Sequence, residues 1–161
     1  MMDIEQFLSL VKSACGQREP LLVDYSYPLT ILISSNDLIK VCATLHQNPS
    51  TYFDMLSCVT GIDNGVEAKT MEVVYNLYSI PFHTSLMLKC VLPRENPEIE
   101  SVCNIWKSAN WMEREVFDMF GIHFKNHPDL RRILMPADWK GNPLRKDYKH
   151  EEYYRGIKVE Y

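Results

Sequence analysis

Glycine, paired cysteine and long apolar runs are scarce here. Only six glycines occur in 161 residues. None falls in the GxGxxG or GxxxxGK(S/T) spacing that lets backbone N–H groups cradle phosphate, and no GxSxG nucleophile turn is present. The five cysteines, at 15, 42, 58, 90 and 103, are odd in number and include no CxxC pair. Zinc and iron–sulfur centres are normally held by at least one close pair, so reduced, mostly buried thiols are expected, with no metal centre held by this chain alone. The longest apolar runs, such as LLV and LTILI, fall far short of the roughly 18 to 20 residues that cross a bilayer. The N-terminal MMDIEQFLSLVKSACGQ has neither a basic n-region with an apolar h-region nor an Arg-rich transit pattern, which predicts a cytoplasmic protein.

What is present is an ordinary globular composition, 46% hydrophobic and 24% charged, of a length that suits one domain with a sizeable core. Charge is unevenly spread. Residues 1 to 120 hold 8 Lys+Arg against 15 Asp+Glu, and residues 121 to 161 hold 9 against 6, so an acidic body carries a basic tail.

Ile4, Phe7, Leu8 and Val11 recur at helical spacing, with Asp3 placed to cap and Gly16 to terminate, predicting a helix over 3–15. LLVDY and LTILI read as short strands around Tyr27-Pro28. A second helix follows, capped by Ser34 or Ser35, with Leu38, Val41, Cys42 and Leu45 as its apolar face and Asn48-Pro49 as its end. YFDMLSCVTGID, TMEVVYNLYSI and TSLMLKCVLP, separated by DNG at 63–65 and by Pro81-Phe82-His83, read as an antiparallel meander with one face on helices and one at least partly wet. The expected fold is α+β, with helices packed on one face of a mostly antiparallel sheet. The expected division is residues 1–121 as that domain and 122–161 as an extended C-terminal arm that is not an independent domain. The arm lacks periodicity yet is rich in apolar and aromatic side chains, so it is expected to lie along a surface, its own or a partner's.

EREVFDMFGI, Glu113 to Ile122, concentrates charge. Asn110 and Glu113 fit a capping box and Gly121 with Ile122 a left-handed C-cap, predicting a helix over 111–120 after a polar loop that follows Pro93. On it Glu113 and Glu115 diverge by about 200°, too far to share a proton or metal, and a Glu-x-x-His pattern is missing. The acids read as first-turn dipole partners, and Arg114 as paired with an acid, Asp118 at i,i+4 being the nearest. His123 and His127 stand four apart but between Gly121 and Pro128, hence in a loop, where a histidine bonded to backbone is the expectation. The tail cations Arg131, Arg132, Lys140, Arg145, Lys146 and Lys149, interleaved with Trp139 and Tyr148, suit an acidic protein partner better than nucleic acid, given the intervening Asp129, Asp138 and Asp147.

The run WKSANWMEREVFDMFGIHFKNHPDLRRILMPADWKGNPLRKDY, residues 106 to 148, resembles the signature region of the C-subunit, or 30-kDa subunit, family of the proton-pumping NADH:quinone oxidoreductase, respiratory complex I. The resemblance is strong from about Thr60 onward and a matter of pattern over the first 50 residues. It implies a non-catalytic α+β subunit on the cytoplasmic side of the inner membrane, docked on the large D-subunit that helps form the quinone pocket. The complex would use NAD, FMN, iron–sulfur clusters and a quinone to move electrons and translocate protons, with none of these groups on this chain. Some relatives run on into that large quinone-site subunit. This sequence ends at Tyr161, so a separate polypeptide that assembles is expected. Glu113, Arg114, Glu115 and Asp118 match the family's acidic helix and His127, Asp129, Arg131 and Arg132 its following turn. Arg145, Lys146, Asp147 and Tyr148 match its final motif, and with Trp139 they are the expected interface. Arg114, Arg131, Arg132 and Arg145 are the expected anchors. The alternative is an equivalent subunit of an energy-converting hydrogenase or another relative with a different electron donor.

Overall fold

Alternation of apolar and polar residues in the three long strands builds the centre of the molecule. The computed structural model describes residues 4–16, 19–24 and 28–159. In chain order these form α1 (Ile4–Ala14), β1 (Leu21–Asp24), β2 (Leu29–Ile33), a single 3₁₀ turn (Ser35–Asp37), α2 (Leu38–Gln47), β3 (Met55–Asp63), β4 (Thr70–Ser79) and β5 (Thr84–Pro93). Then come β6 (Glu98–Glu100), α3 (Ala109–Phe120), β7 (His123–Lys125), β8 (Tyr153–Tyr154) and β9 (Ile157–Lys158). The main sheet runs β1-β2-β5-β4-β3. Its pairs are antiparallel except β2 with β5, where Leu29 to Ile33 run parallel to Leu86 to Cys90.

One face of this sheet, carrying Ile31 and Ile33, Val73, Tyr75 and Leu77, and Leu86, Leu88 and Cys90, is sealed by all three helices in a single apolar cluster. Phe7 and Val11 come from α1, Leu38, Val41 and Leu45 from α2, and Val116 from α3. The opposite face is mostly wet and carries the Lys89–Glu72 ion pair at 2.8 Å, as the alternation in β4 predicts. Gly61 sets the spacing between α3 and β3. A Cβ there would meet the Phe120 ring at 2.6 Å and Val116 at 3.0 Å, so only glycine lets the helix lie this close. Inside the cluster the Tyr75 hydroxyl is buried and has no hydrogen-bond partner among the described residues.

Boundaries differ from expectation in instructive places. The second helix is preceded by a 3₁₀ turn, whose cap is Ser34 accepting from the Asn36 N–H. Asp3 and Tyr27 lie outside the described residues. The stretch after Pro93, expected as a polar loop, contains β6, and His123 to Lys125, also expected in a loop, form β7 parallel to it. Ile122 and Phe124 are both buried. Apolar side chains alternate too briefly in these three-residue strands for the period to register in sequence. Of the expected arm, 122–161, the first residues thus join the body through β7, and beyond it the arm contains a small β8–β9 hairpin and otherwise runs as turns and extended backbone.

Candidate functional site

Helix α3 and the arm form one polar assembly, organised by three buried carboxylates. Gly121 ends the helix in the left-handed conformation (φ 73°), with its N–H on the Phe117 carbonyl at 2.8 Å. The final turn of a helix leaves its last carbonyls without internal partners. Here the arm supplies them. Asn142 Nδ2 donates to the Phe117 and Asp118 carbonyls at 3.4 and 3.0 Å, the Leu144 N–H to Met119 O at 3.0 Å, and Arg145 Nε to Phe120 O at 2.7 Å. A cation at that end also complements the helix dipole.

Asp118 is fully buried. Its Oδ2 accepts three consecutive arm N–H groups, Ile133 at 3.0 Å and Leu134 and Met135 at 2.8 Å, and its Oδ1 accepts Arg132 Nη1 at 2.6 Å. Burial pushes this carboxyl up, and the bonds from Met135, Arg132, Leu134 and Ile133 outweigh it, leaving the group below the usual aspartate range. Arg132 reaches on to the Gly141 carbonyl at 2.9 Å. The i,i+4 pairing expected between Arg114 and Asp118 does not form. Arg114 donates Nε to Arg131 O at 3.1 Å and Nη2 to Arg132 O at 3.2 Å, and lies over the Trp111 ring at 5.8 Å. Bare arm carbonyls outcompete Asp118, whose oxygens are already committed.

Asp63 makes the second attachment. Its Oδ1 accepts Gly65 N at 2.9 Å and Arg94 Nε at 2.8 Å, and its Oδ2 accepts Arg94 Nη2 and the arm N–H of Lys146, both at 2.9 Å. Arg94 also binds Asp147. The Arg94 guanidinium holds Asp63 far below the usual carboxylate range against the cost of burial, with the Lys146 and Gly65 N–H groups adding to its effect. Neither Asp63 nor Arg94 stands out in the sequence. Asp63 reads as a turn residue, its partners lying 31 and 83 positions away.

Glu113 is the third. It is neither a capping-box residue nor in the first turn. The helix begins at Ala109, and its N-cap, Ser108, makes no side-chain cap bond. Glu113 points inward, accepting Ser101 Oγ at 2.6 Å, Val102 N at 2.8 Å and Cys103 Sγ at 3.4 Å, with His127 Nε2 at 3.9 Å. Burial raises its pKa, and the bonds from Ser101, Val102 and Cys103 partly offset this. Burial likewise pushes the Cys103 thiol up to about 11. Cys103, Glu113 and His127 bring a sulfur, an oxygen and a nitrogen within 4.8 Å of one another, a set with metal-ligand chemistry. Each atom is already engaged. His127 Nδ1 accepts the Asp129 N–H at 3.0 Å, so its Nε2 carries the proton and faces the Asn110 carbonyl at 3.1 Å. A metal would have to displace that proton, a thiol proton and two bonds to Glu113. The arrangement fits a sealed brace joining the turn after β6, α3 and the turn after β7, and the histidine bonds to backbone as expected.

The other predicted positions lie further out. Glu115 is exposed. Arg131 pairs with Asp129 at 2.9 Å on an open surface. His123 sits on β7 beside Phe117, apart from His127. Trp139 donates to the Tyr148 hydroxyl at 2.9 Å and packs on Tyr154 at 5.1 Å. Asp138 receives Tyr154 and Arg155. Among the described residues no helix is long and apolar enough to cross a membrane.

Residues 31–154 match the family model described as respiratory-chain NADH dehydrogenase, 30 Kd subunit. A protein of Chloroherpeton thalassium described as the C-subunit of NADH-quinone oxidoreductase is 50% identical over 110 residues, 68% of this chain and 45% of that protein. The protein of Geobacter sulfurreducens with the same description is 45% identical over 121 residues, 74% of each. Among solved structures, the trypsin-resistant fragment (1-134) of Nqo5 superposes with a TM-score of 0.62 at 26% identity, covering 80% of this chain and all of that one. A chain of the membrane-bound sulfane sulfur reductase, an archaeal respiratory membrane complex, shares the fold with a TM-score of 0.72 at 19% identity over 90% of this chain and 85% of its own. The chain belongs to the 30-kDa subunit family of the respiratory-chain NADH dehydrogenase.

Proposed function

We propose that this protein is a non-catalytic, peripheral-arm subunit of an NADH:quinone oxidoreductase that docks on the large quinone-site subunit, on the cytoplasmic side of the membrane. In this reading NAD, FMN, iron–sulfur clusters and quinone belong to neighbouring subunits, and electron transfer coupled to proton translocation is the work of the whole complex. The observation that carries the reading, beside family membership, is the direction in which the polar groups face. Glu113, Asp118 and Asp63 are turned inward and spent on holding the arm and the neighbouring turns. Trp111, Leu134, Leu144, Tyr153 and Ile157 are left exposed on the outside. A rigid body presenting a preshaped apolar and basic surface suits permanent assembly, because little ordering cost remains at docking.

Among the expected anchors, Arg114 and Arg132 serve this chain's own arm, so docking falls to the outward residues. Capture of the tagged chain under mild detergent, with mass spectrometry of what accompanies it, tests the reading. The quinone-site subunit and other peripheral-arm subunits are expected. A hydrogenase large subunit in place of the quinone-site one would move the chain to the alternative complex, and a monomer with NADH:quinone reductase activity unaffected by its deletion would refute subunit membership.

A further inference from the structure

The arm's cations fall into two groups. Lys125 is bonded to Glu98, Arg132 to Asp118, Arg131 to Asp129 and Arg155 to Asp138. Lys140, Arg145, Lys146, Lys149 and Lys158 have no carboxylate within ion-pair distance among the described residues. Of these, Lys140, Arg145 and Lys149 line the same open cleft of about 370 Å³, with Gly141 and the half-buried Tyr148 ring. Its two acids do not neutralise them. Asp147 is taken by Arg94 and feels Arg145 only at longer range, and Glu151 lies at the junction with a second, smaller cleft of about 190 Å³. That second cleft shares Lys140 and Glu151 with the first and adds Trp139, Tyr153 and Tyr154, so the two form a continuous groove along the arm. Arg145 spends its Nε on the Phe120 carbonyl, which orients the guanidinium and leaves both terminal nitrogens without a bond among the described residues. This is the pre-organised fork that takes a carboxylate in bidentate fashion.

We infer that this groove is a docking site for an acidic, extended segment of a partner subunit, with Arg145 gripping one carboxylate, Lys140 and Lys149 flanking it, and Trp139, Tyr148 and Tyr153 packing its apolar side chains. The inference rests on the subunit reading above and names the chemistry of one of its contacts. A protein partner is favoured over an anionic membrane because the cations line a concave groove interleaved with Asp138 and Glu151, whereas a lipid surface calls for a flat face of one sign.

The test is zero-length carbodiimide cross-linking of the captured complex, which joins a lysine only to a carboxylate in direct contact, followed by peptide mass spectrometry. Lys140 or Lys149 is expected to be linked to Asp or Glu of another subunit. In parallel, the K140E/K149E variant is expected to recover at least about tenfold less partner than the unaltered chain, a loss of the size that reversing rim and groove charges produces. Its thermal unfolding is expected to stay unchanged, and K40E, at an exposed position of α2, is expected to recover partner normally. Cross-links ending only on Glu151 or Glu152 of the same chain, or full recovery by K140E/K149E, would overturn the inference while leaving the subunit reading intact. Binding of the purified chain to phosphatidylserine vesicles, lost in K140E/K149E while partner recovery is kept, would overturn it in favour of a membrane. If the unaltered chain captures no other subunit, both readings fall.

Discussion

The sheet-and-helix body and the arm are held by different physics. The body coheres through a continuous apolar cluster from β2, β4, β5 and three helices, where the driving force is roughly proportional to area and spread over many side chains. Past β7 the arm has few buried apolar side chains and is held by polar contacts, chief among them those of Asp118, which gathers three of its backbone N–H groups, and of Asp63, which takes the Lys146 N–H. A cohesion spread over dozens of contacts is hard to break at one point. One that converges on Asp118 and Asp63 is broken by removing an atom or adding a proton.

The largest expected effect follows from that convergence. Asp118→Ala strands three arm N–H groups and the Arg132 guanidinium, and removing one partner of a buried charged pair costs about 3–5 kcal/mol. The arm is expected to become protease-sensitive after Pro128 while the body keeps its strands, and equal loss of both in hydrogen exchange would show that the two regions are not separable. Next comes the body's own single-point weakness. Gly61→Val places branched carbons where the Phe120 ring already stands, and overpacking of this kind costs about 1–3 kcal/mol. A lowered midpoint in urea is expected, and an unchanged one would show that α3 can shift off β3 freely.

Acid separates the regions without mutation. Asp63 and Asp118 have folded pKa values below the ordinary aspartate value. Their stabilisation is fully present above that value, near pH 4, and is lost as pH falls through the folded values. Glu113 has the opposite sign. Its raised folded pKa means that its contribution is greatest below the ordinary glutamate value and declines as pH rises through the folded one. Below about pH 4 the N–H groups of Ile133, Leu134, Met135 and Lys146 are expected to lose exchange protection before the Val102 N–H bonded to Glu113. The reverse order would mean that the arm does not depend on these carboxylates. The smallest effect is a gain. Tyr75→Phe removes a buried hydroxyl that has no partner among the described residues and is expected to leave stability unchanged or raise it by about 1 kcal/mol. A marked loss would reveal a bridging water that the hydroxyl serves.

Much of the body was legible in the residues. The alternation in Met71, Val73, Tyr75 and Leu77, the stripe of Leu38, Val41, Cys42 and Leu45, and the glycine at 121 each encode a local period or dihedral, and each element formed where its period runs. The charges were not legible in the same way. Glu113 three residues after Asn110 matches a capping box, yet it is drawn inward because Ser101 and the Val102 N–H wait beneath it. Arg114 and Asp118 stand one helical turn apart, yet each is taken by arm backbone that sequence spacing cannot place. The pairing of Asp63 with Arg94 and with the Lys146 N–H spans too many residues to leave a local signature.

The sequence by itself determined the order of strands and helices through β5, the helix stop at Gly121 and, through EREVFDMFGI and PLRKDY, the family. These depend on nearest-neighbour periodicity, backbone dihedrals and long specific motifs, which survive in one dimension. Only the tertiary structure decided which acid meets which donor, because a buried carboxylate takes the donors that are already desolvated and within about 3 Å, whatever their distance along the chain. EREVFDMFGI therefore names the family by its letters and holds the arm by its folded surroundings.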